Sequence, residues 1–422
     1  MSSMDPKHSP DQLPGDDASS TADPSALPDS APLAEKADVG LDQLTASQWA
    51  LMVRKFRKHK VAVWSGLVLV LLYIVGLTCE FVAPYTLDYR NAEYAYAPPQ
   101  RLRIISEDGL HMPFVYGLMN ERHPVERRRV YQEDRTQRYP IRLFARGETY
   151  TFWGLFETNI HLFGVGEPVP VTSAYERLEQ ELGEPPPQSD HASIHLLGTD
   201  SIGHDLFSRI LYGSRVSLTI GLVGVTVTFV VGLIFGSISG YFGGTIDNLI
   251  QRGIEIIQAF PTLPLWMALA AILPSHWSPL MIYFGITVVL GFIGWTPLAR
   301  QVRGKILSLR EEDFAMAAML AGASKARIMF RHLLPSFMSH IIVSLTLTVP
   351  AMILGETALS FLGLGLRPPV TSWGVLLQEA QTVQAVALQP WLITPAIAVV
   401  IAVLAFNFVG DGLRDAADPY AR

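Results

Sequence analysis

Residues 299–335 read ARQVRGKILSLREEDFAMAAMLAGASKARIMFRHLLP. The stretch lies between two apolar runs, residues 282–297 and 341–359, and carries Arg300, Arg303, Lys305, Arg310, Lys325, Arg327 and Arg331. A connection this basic between two membrane helices belongs on the cytoplasmic side. Residues 311–320, rich in Ala, Met, Leu and Glu, predict a helix. Gly322 predicts its end or a tight bend. Ser324 is then placed as the N-cap of a second short helix, 324–333, which Pro335 is expected to stop. The product is a helix–glycine–helix elbow between two spans. Such an elbow is suited to receive a push from a soluble partner and pass it to the spans.

Composition agrees with a membrane setting. Of 422 residues, 49% are hydrophobic and only 17% charged, against about a quarter charged in soluble chains. Long apolar runs account for the shift, so the chain reads as an all-α integral membrane protein with a small β-containing insertion. The net charge of −6 gives no basis for nucleic-acid binding. Cys79 is the only cysteine, which excludes an intrachain disulfide and leaves it as a packing residue.

Residues 1–44 are rich in Pro, Ser, Ala and Asp and predict a disordered cytoplasmic tail. They do not have the pattern of a signal peptide. Residues 45–60 mix Trp49, Leu51 and Phe56 with Arg54, Lys55, Arg57, Lys58 and Lys60, an amphipathic helix for the inner membrane surface. The basic run places the N-terminus in the cytoplasm, ahead of a first span at 61–81. Residues 82–195 are long and polar and are expected outside. Residues 139–144, 150–152 and 160–165 suggest short strands, and 184–187 a Pro-rich linker. His191 and His195 have a spacing that metal ligands share, but no acidic or Cys companion, so no metal site is assigned.

The permease core is expected at 196–422. Further apolar runs at 217–239, 254–273, 282–297, 341–359 and 391–409 bring the count to six spans and return the C-terminus to the cytoplasm. Gly221, Gly224, Gly232 and Gly236 predict close helix approach. Phe260, Pro261 and Pro264 predict a kink in the run 254–273. Asp200 and Asp205, with Arg209 and Arg215, are placed to tie a turn to an interfacial helix. Glu356 lies at membrane depth, where an ionisable group faces a pore or a partner subunit. Glu255 is placed in the cytoplasmic interface.

Four motifs carry a resemblance. Met316, Ala317, Ala318, Gly322, Ala323, Leu334 and Pro335 resemble the coupling loop of ABC importer permeases, with Met316 where relatives have an acidic residue. LLGTDSIGHDLFSRILYGSRVSLTIG, residues 196–221, resembles the second-span entry of the peptide and nickel subfamily. Gly198, Thr199, Asp200, Gly203, Asp205, Ser208, Arg209, Gly213, Arg215, Ser217 and Leu218 match there, and His204 stands where Arg is usual. LSFLGLGLRPPVTSWG, residues 359–374, and NFVGDGLRDAADP, residues 407–419, match the same subfamily.

The resemblance implies a C-type inner-membrane permease subunit with an enlarged extracytoplasmic loop. It implies a second homologous permease subunit, two ATP-binding cassette ATPase subunits, an extracytoplasmic solute-binding protein and membrane lipid as partners. ATP and Mg would be bound by the partner subunits, with no cofactor or catalytic residue in this chain. Glu356, Phe260, Pro261, Arg215, Asp200 and Asp205 become candidates for the translocation path and gate. Peptides are the expected cargo, with nickel chelates and oligosaccharides as alternatives.

Other classes fit less well. The chain has no His-Glu-x-x-His, Gly-x-Ser-x-Gly or Gly-x-x-x-x-Gly-Lys-Ser/Thr, which argues against a hydrolase and against an intrinsic ATPase. A secondary transporter would use ion-binding carboxylates at the midplane and leave the basic elbow idle. A membrane receptor would leave both the elbow and residues 359–374 unexplained.

Overall fold

The computed structural model describes residues 48–106, 108–122, 129–183, 185, 193–274 and 276–417. The acidic tail, most of the Pro-rich linker, His191 and the last residues of the 407–419 motif lie outside the described residues. The chain divides into two units, 1–51 and 52–422. Of the first unit only Gln48–Leu51 are described, the opening turn of a helix. That helix is α1, Gln48–Lys58. In the second unit His59 caps the next helix, α2 (Lys60–Leu77), by accepting the Ala62 N–H at 3.1 Å.

Four strands follow in antiparallel meander order: β1 (Arg103–Ser106), β2 (Gly109–Arg122), β3 (Arg129–Phe152) and β4 (Phe156–Val165). A short β5 (Val169–Pro170) pairs with β3 and leads into α3 (Thr172–Leu182). The segments 139–144 and 150–152 are not separate strands. Both belong to the 24-residue β3, which passes Pro140 at its pairing with Phe114 and absorbs Gly147 in a register shift between Arg146 and Tyr150. A bulge lets a strand carry an irregular residue without ending. Phe114, Tyr116, Val171 and Ala174 form one small core of this sheet, and Val115, Tyr139 and Ile194 another.

Among the described residues, five helices are long and apolar enough to cross a membrane. They are α2, α4 (Leu206–Phe242), α7 (Pro279–Leu309), α9 (Met338–Phe361) and the C-terminal α10 (Thr394–Ala417), which a short turn at Pro390–Ile393 precedes. The run 254–273 is not one kinked helix. It divides between α5 (Gly244–Gln258) and α6 (Thr262–Ala271), which meet at 87°. Pro261, at the start of α6, has no N–H to continue α5, and Pro264 belongs to the first turn of α6, where proline is tolerated. The described residues therefore give five spans, or six if this pair counts as one.

Two further boundaries differ from expectation. Pro297 does not end its helix, because α7 runs through it to Leu309. The Ile293 carbonyl, which Pro297 cannot serve, accepts the Thr296 hydroxyl at 3.4 Å. Pro335 does not stop the second elbow helix either. A π-helical turn, Ile328–Leu333, precedes it, and Pro335 occupies the first turn of a new helical segment, Leu334–Ser336. The real break is Phe337, with φ −126° and ψ 19°.

The 37 residues of α4 extend about 55 Å, well beyond a hydrocarbon core of about 30 Å. This helix links the two ends of the core. Asp205 caps its start beside the sheet by accepting from the Ser208 N–H at 2.7 Å. Its far end packs on α7 through a glycine stripe. A Cβ at Gly236 would sit 2.6 Å from the Ala299 carbonyl, and one at Gly240 2.8 Å from that of Arg303. Only glycine permits this backbone approach.

Candidate functional site

The elbow begins where α7 ends. Arg310 turns the chain, and its guanidinium donates to the Gly240 and Tyr241 carbonyls at 3.3 and 3.4 Å. Helix α8 (Asp313–Leu320) follows. Its end is a Schellman motif: the Ala323 N–H donates to Ala318 O at 3.1 Å and the Gly322 N–H to Met319 O at 3.0 Å. Gly322 has φ +78°, and nothing lies within 4 Å of where its Cβ would be. Glycine is therefore favoured by conformation and not by crowding. Ser324 caps the outgoing segment by accepting from the Arg327 N–H at 3.4 Å.

Ala315, Ile328, Met329, Leu333 and Leu334 pack under the elbow against Val302, Ile306 and Ile341. The opposite face is open. Phe314, Met316, Met319 and Phe330 are exposed, and Leu320 is 89% exposed. Among the motif residues of the elbow, Met316, Ala317, Gly322 and Pro335 are on the surface, Ala318 and Ala323 are half-buried, and Leu334 lies in the core beneath. Sequence reasoning missed the clamp that fixes the elbow's stem. Arg303 of α7 makes a bidentate pair with Asp247 of α5, at 2.6 and 2.5 Å, and Ser239 also donates to that carboxylate. The signal available was a lone Asp in the first turn of an amphipathic helix.

A groove of about 500 Å³ opens beside the α5–α6 break. Phe260 lines it with Trp266, Gln258, Thr296, Gln301 and Ser344, and none of the described lining residues is charged. Gln258 donates to the Thr296 hydroxyl at 3.0 Å, and Ser344 to Gln301 Oε1 at 2.7 Å. Pro261 sits exposed at the break itself.

Glu356 does not line this groove. It is 0% exposed, in the packed interior of the chain. Ser360 and Ser372 donate to Oε1 at 2.8 and 2.6 Å, and Ser217 to Oε2 at 3.3 Å. The same hydroxyls accept backbone N–H groups: Ser360 from Leu366, Ser372 from Val375 and Ser217 from Trp373. One carboxylate thus ties the loop of the 359–374 motif to α4 and α9. A buried carboxylate is tolerated because hydroxyl donors replace its water.

The Asp and Arg residues of the 196–221 motif do not form one site. Asp200 pairs with Arg209 and accepts from His204 Nδ1 at 2.7 Å. Burial alone would raise the Asp200 carboxyl, but the His204 hydrogen bond and the Arg209 charge together hold it below its usual range. Glu379 accepts the Ser201 N–H at 3.1 Å, and burial followed by the Asp200 charge pushes it up. Asp205 bonds His195 at 3.2 Å as well as capping α4. Arg215 pairs with neither Asp. It grips Glu80 through both oxygens, at 2.6 and 2.5 Å, and caps α2 through the Gly76 and Leu77 carbonyls. Its place in α4, beyond the capping turn, carries it down to the end of the first span.

Helical spans, an exposed elbow and an uncharged groove fit a membrane permease component. A family model described as "Binding-protein-dependent transport system inner membrane component" matches residues 232–422, and one described as "N-terminal TM domain of oligopeptide transport permease C" matches 47–99. The oligopeptide transport system permease protein OppC of Bacillus subtilis is 38% identical over 60% of this chain and 80% of its own length. OppC of Haemophilus influenzae is 40% identical over 54% and 71%, and the dipeptide transport system permease protein DppC of B. subtilis 37% over 64% and 81%. The chain belongs to the family of inner-membrane permease components of binding-protein-dependent ABC transport systems. Residues 100–231, which include the whole sheet, lie outside both family matches.

Proposed function

We propose that the chain forms half of the translocation path of a peptide ABC importer, with the elbow as its coupling surface. The observation that carries this reading is the elbow. An apolar face is held in fixed geometry by the Schellman turn at Gly322 and by the Arg303–Asp247 clamp, and left uncovered. Exposed patches of this kind mark protein interaction sites. A nucleotide-binding subunit seated on Met316, Ala317 and Gly322 would push on α7 and α9 together. A second permease subunit would face the groove, and a solute-binding protein would deliver cargo at the sheet end.

Peptide cargo is supported by the names of the relatives and by the groove. Amide and hydroxyl groups without fixed charge suit a peptide backbone whose side chains vary, and Phe260 and Pro261 stand at its hinge. Asp200, Asp205, Arg215 and Glu356 act in this reading as positioning residues that hold the outer loops. The α5–α6 pair serves as the sixth span, both termini lie in the cytoplasm, and residues 82–195 form an extracytoplasmic insertion between the first span and the core.

The test is uptake by the complete complex in vesicles, with loaded binding protein and a panel of labelled peptides. ATP-dependent peptide uptake is expected. Uptake of nickel chelates or oligosaccharides in place of peptides would overturn the cargo, and uptake without any ATPase would revive the secondary carrier. Orientation is tested by Asn159→Cys in a Cys79→Ala background. A membrane-impermeant thiol reagent should label it in intact cells, and labelling only after lysis would reverse the topology.

A further inference from the structure

The tip of the β3–β4 hairpin is built in an unusual way. Residues 150–156 read YTFWGLF, without a charge. The turn closes with the Leu155 N–H donating to Phe152 O at 2.9 Å, and Trp153 and Gly154 both have positive φ, +53° and +71°. A bulky residue in the left-handed region is uncommon and costs free energy that glycine would not incur. On the same strand, Phe144 is also left-handed, with φ +54°.

Both strained aromatics reach the end of the first span. The Trp153 indole N–H donates to the carbonyl of Leu77, the last residue of α2, at 2.8 Å. The Arg215 guanidinium lies over the Trp153 ring at 5.4 Å. Phe144 meets Phe81, just beyond α2, with ring centroids 6.2 Å apart. Although anchored in this way, the apolar groups of the tip, and those of β3 that lead to it, stay uncovered. Leu155 is 79% exposed, Leu143 71%, Phe144 63% and Trp153 54%.

This patch continues an apolar surface already present. Trp64, Leu67, Val70, Leu71, Ile74 and Leu77 of α2 are exposed along a helix that crosses the membrane. The hairpin tip hangs from the last of them. Aromatic side chains at this level form the belt of a membrane protein, with the ring among lipid and the polar edge satisfied. Leu77 O supplies that polar partner here.

We propose that the β3–β4 hairpin tip, around Trp153 and Leu155, is a lipid anchor that seats the inserted sheet on the membrane. It would dip into the headgroup–acyl boundary of the leaflet at the Leu77 end of α2. The anchor would fix the sheet against the first span, and its site depends neither on the cargo nor on which side of the membrane the sheet occupies.

The test places a spin label at Leu155→Cys, in the Cys79→Ala background, on the full complex in lipid nanodiscs without binding protein. A second label at Glu179→Cys, on the exposed acidic face of α3, is the aqueous reference. Collision with oxygen should exceed collision with a water-soluble nickel chelate several-fold at position 155, and the order should reverse at 179. Equal nickel access at the two positions would overturn the anchor. So would loss of access to both reagents at 155, which would mean that a protein partner covers the tip. The natural tryptophan gives an independent readout. Lipids brominated near the headgroup should quench wild-type fluorescence more than that of Trp153→Phe, and equal quenching would also overturn the proposal.

Discussion

The elbow and the Glu356 loop stand at opposite ends of α4 and are stabilised in opposite ways. Around the elbow, apolar side chains pack beneath and apolar side chains remain uncovered above, with a backbone motif setting the angle. Around Glu356, a carboxylate and three serine hydroxyls are sealed inside and offer no surface. Packing is non-directional and tolerates exchange of similar groups. A buried polar network is directional, and losing one member leaves the others unsatisfied. The first region is suited to meeting another chain, the second to holding a loop in one place. Substitutions at the two ends should therefore fail differently, in function at the elbow and in stability at the loop.

The largest effect is expected at Gly322. Its φ of +78° disfavours a β-branched residue, although space for a side chain exists. Gly322→Val should leave membrane insertion intact, abolish uptake and uncouple ATP hydrolysis from loaded binding protein. Gly322→Asn, whose side chain tolerates the left-handed region, should retain most uptake. Subunit stoichiometry, ATPase stimulation and vesicle uptake check this in one preparation. Normal values for all three in the valine variant would remove the elbow from the coupling role.

Glu356→Ala should act the other way, lowering stability before it touches coupling. It orphans three buried hydroxyls and should cost roughly 2–3 kcal/mol. The thermal midpoint of the purified complex should fall, while ATPase stimulation in the surviving fraction stays normal. An unchanged midpoint would show that the network does not hold the loop. Glu356→Gln, which keeps one acceptor oxygen, should fall between the two.

The smallest effect is expected at Glu379 and is one of pH. Burial and the Asp200 charge raise its carboxyl pKa in the folded chain. Its contribution to stability is then fully present below the ordinary carboxyl value and lost as pH rises through the raised one. Glu379→Gln should stabilise the loops around Asp200 and Ser201 at neutral pH, by less than about 1 kcal/mol, and have no effect near pH 4, where the carboxyl is already protonated. Asp200 has the opposite sign. Its depressed carboxyl supports the fold above the ordinary value, and that support is lost as pH falls through the depressed one. A gain for Glu379→Gln that did not vary with pH would mean that charge is not its cause.

Much of this was legible in the sequence because it depends on short-range signals. Apolar run length located the helical spans, and Gly322 with Ser324 marked both sides of the bend. The glycine stripe of α4 announces a close helix contact, and the ordered motifs point to the permease family. Each is decided by residues a few positions apart. What only the tertiary structure decided are the pairings. Arg215 chose Glu80, 135 residues away, over the nearer Asp200 and Asp205. Arg303 found Asp247 across 56 residues, and Glu356 gathered Ser217 from 139 residues off. The break at Pro261, the passage of α7 through Pro297 and the length of β3 were likewise settled in space, where a neighbouring hydroxyl or a bulge takes up what proline or glycine disrupts. Where the partner lies on another helix, it is set by which helices pack together, whereas Asp200 and Arg209, nine residues apart, pair within their own segment.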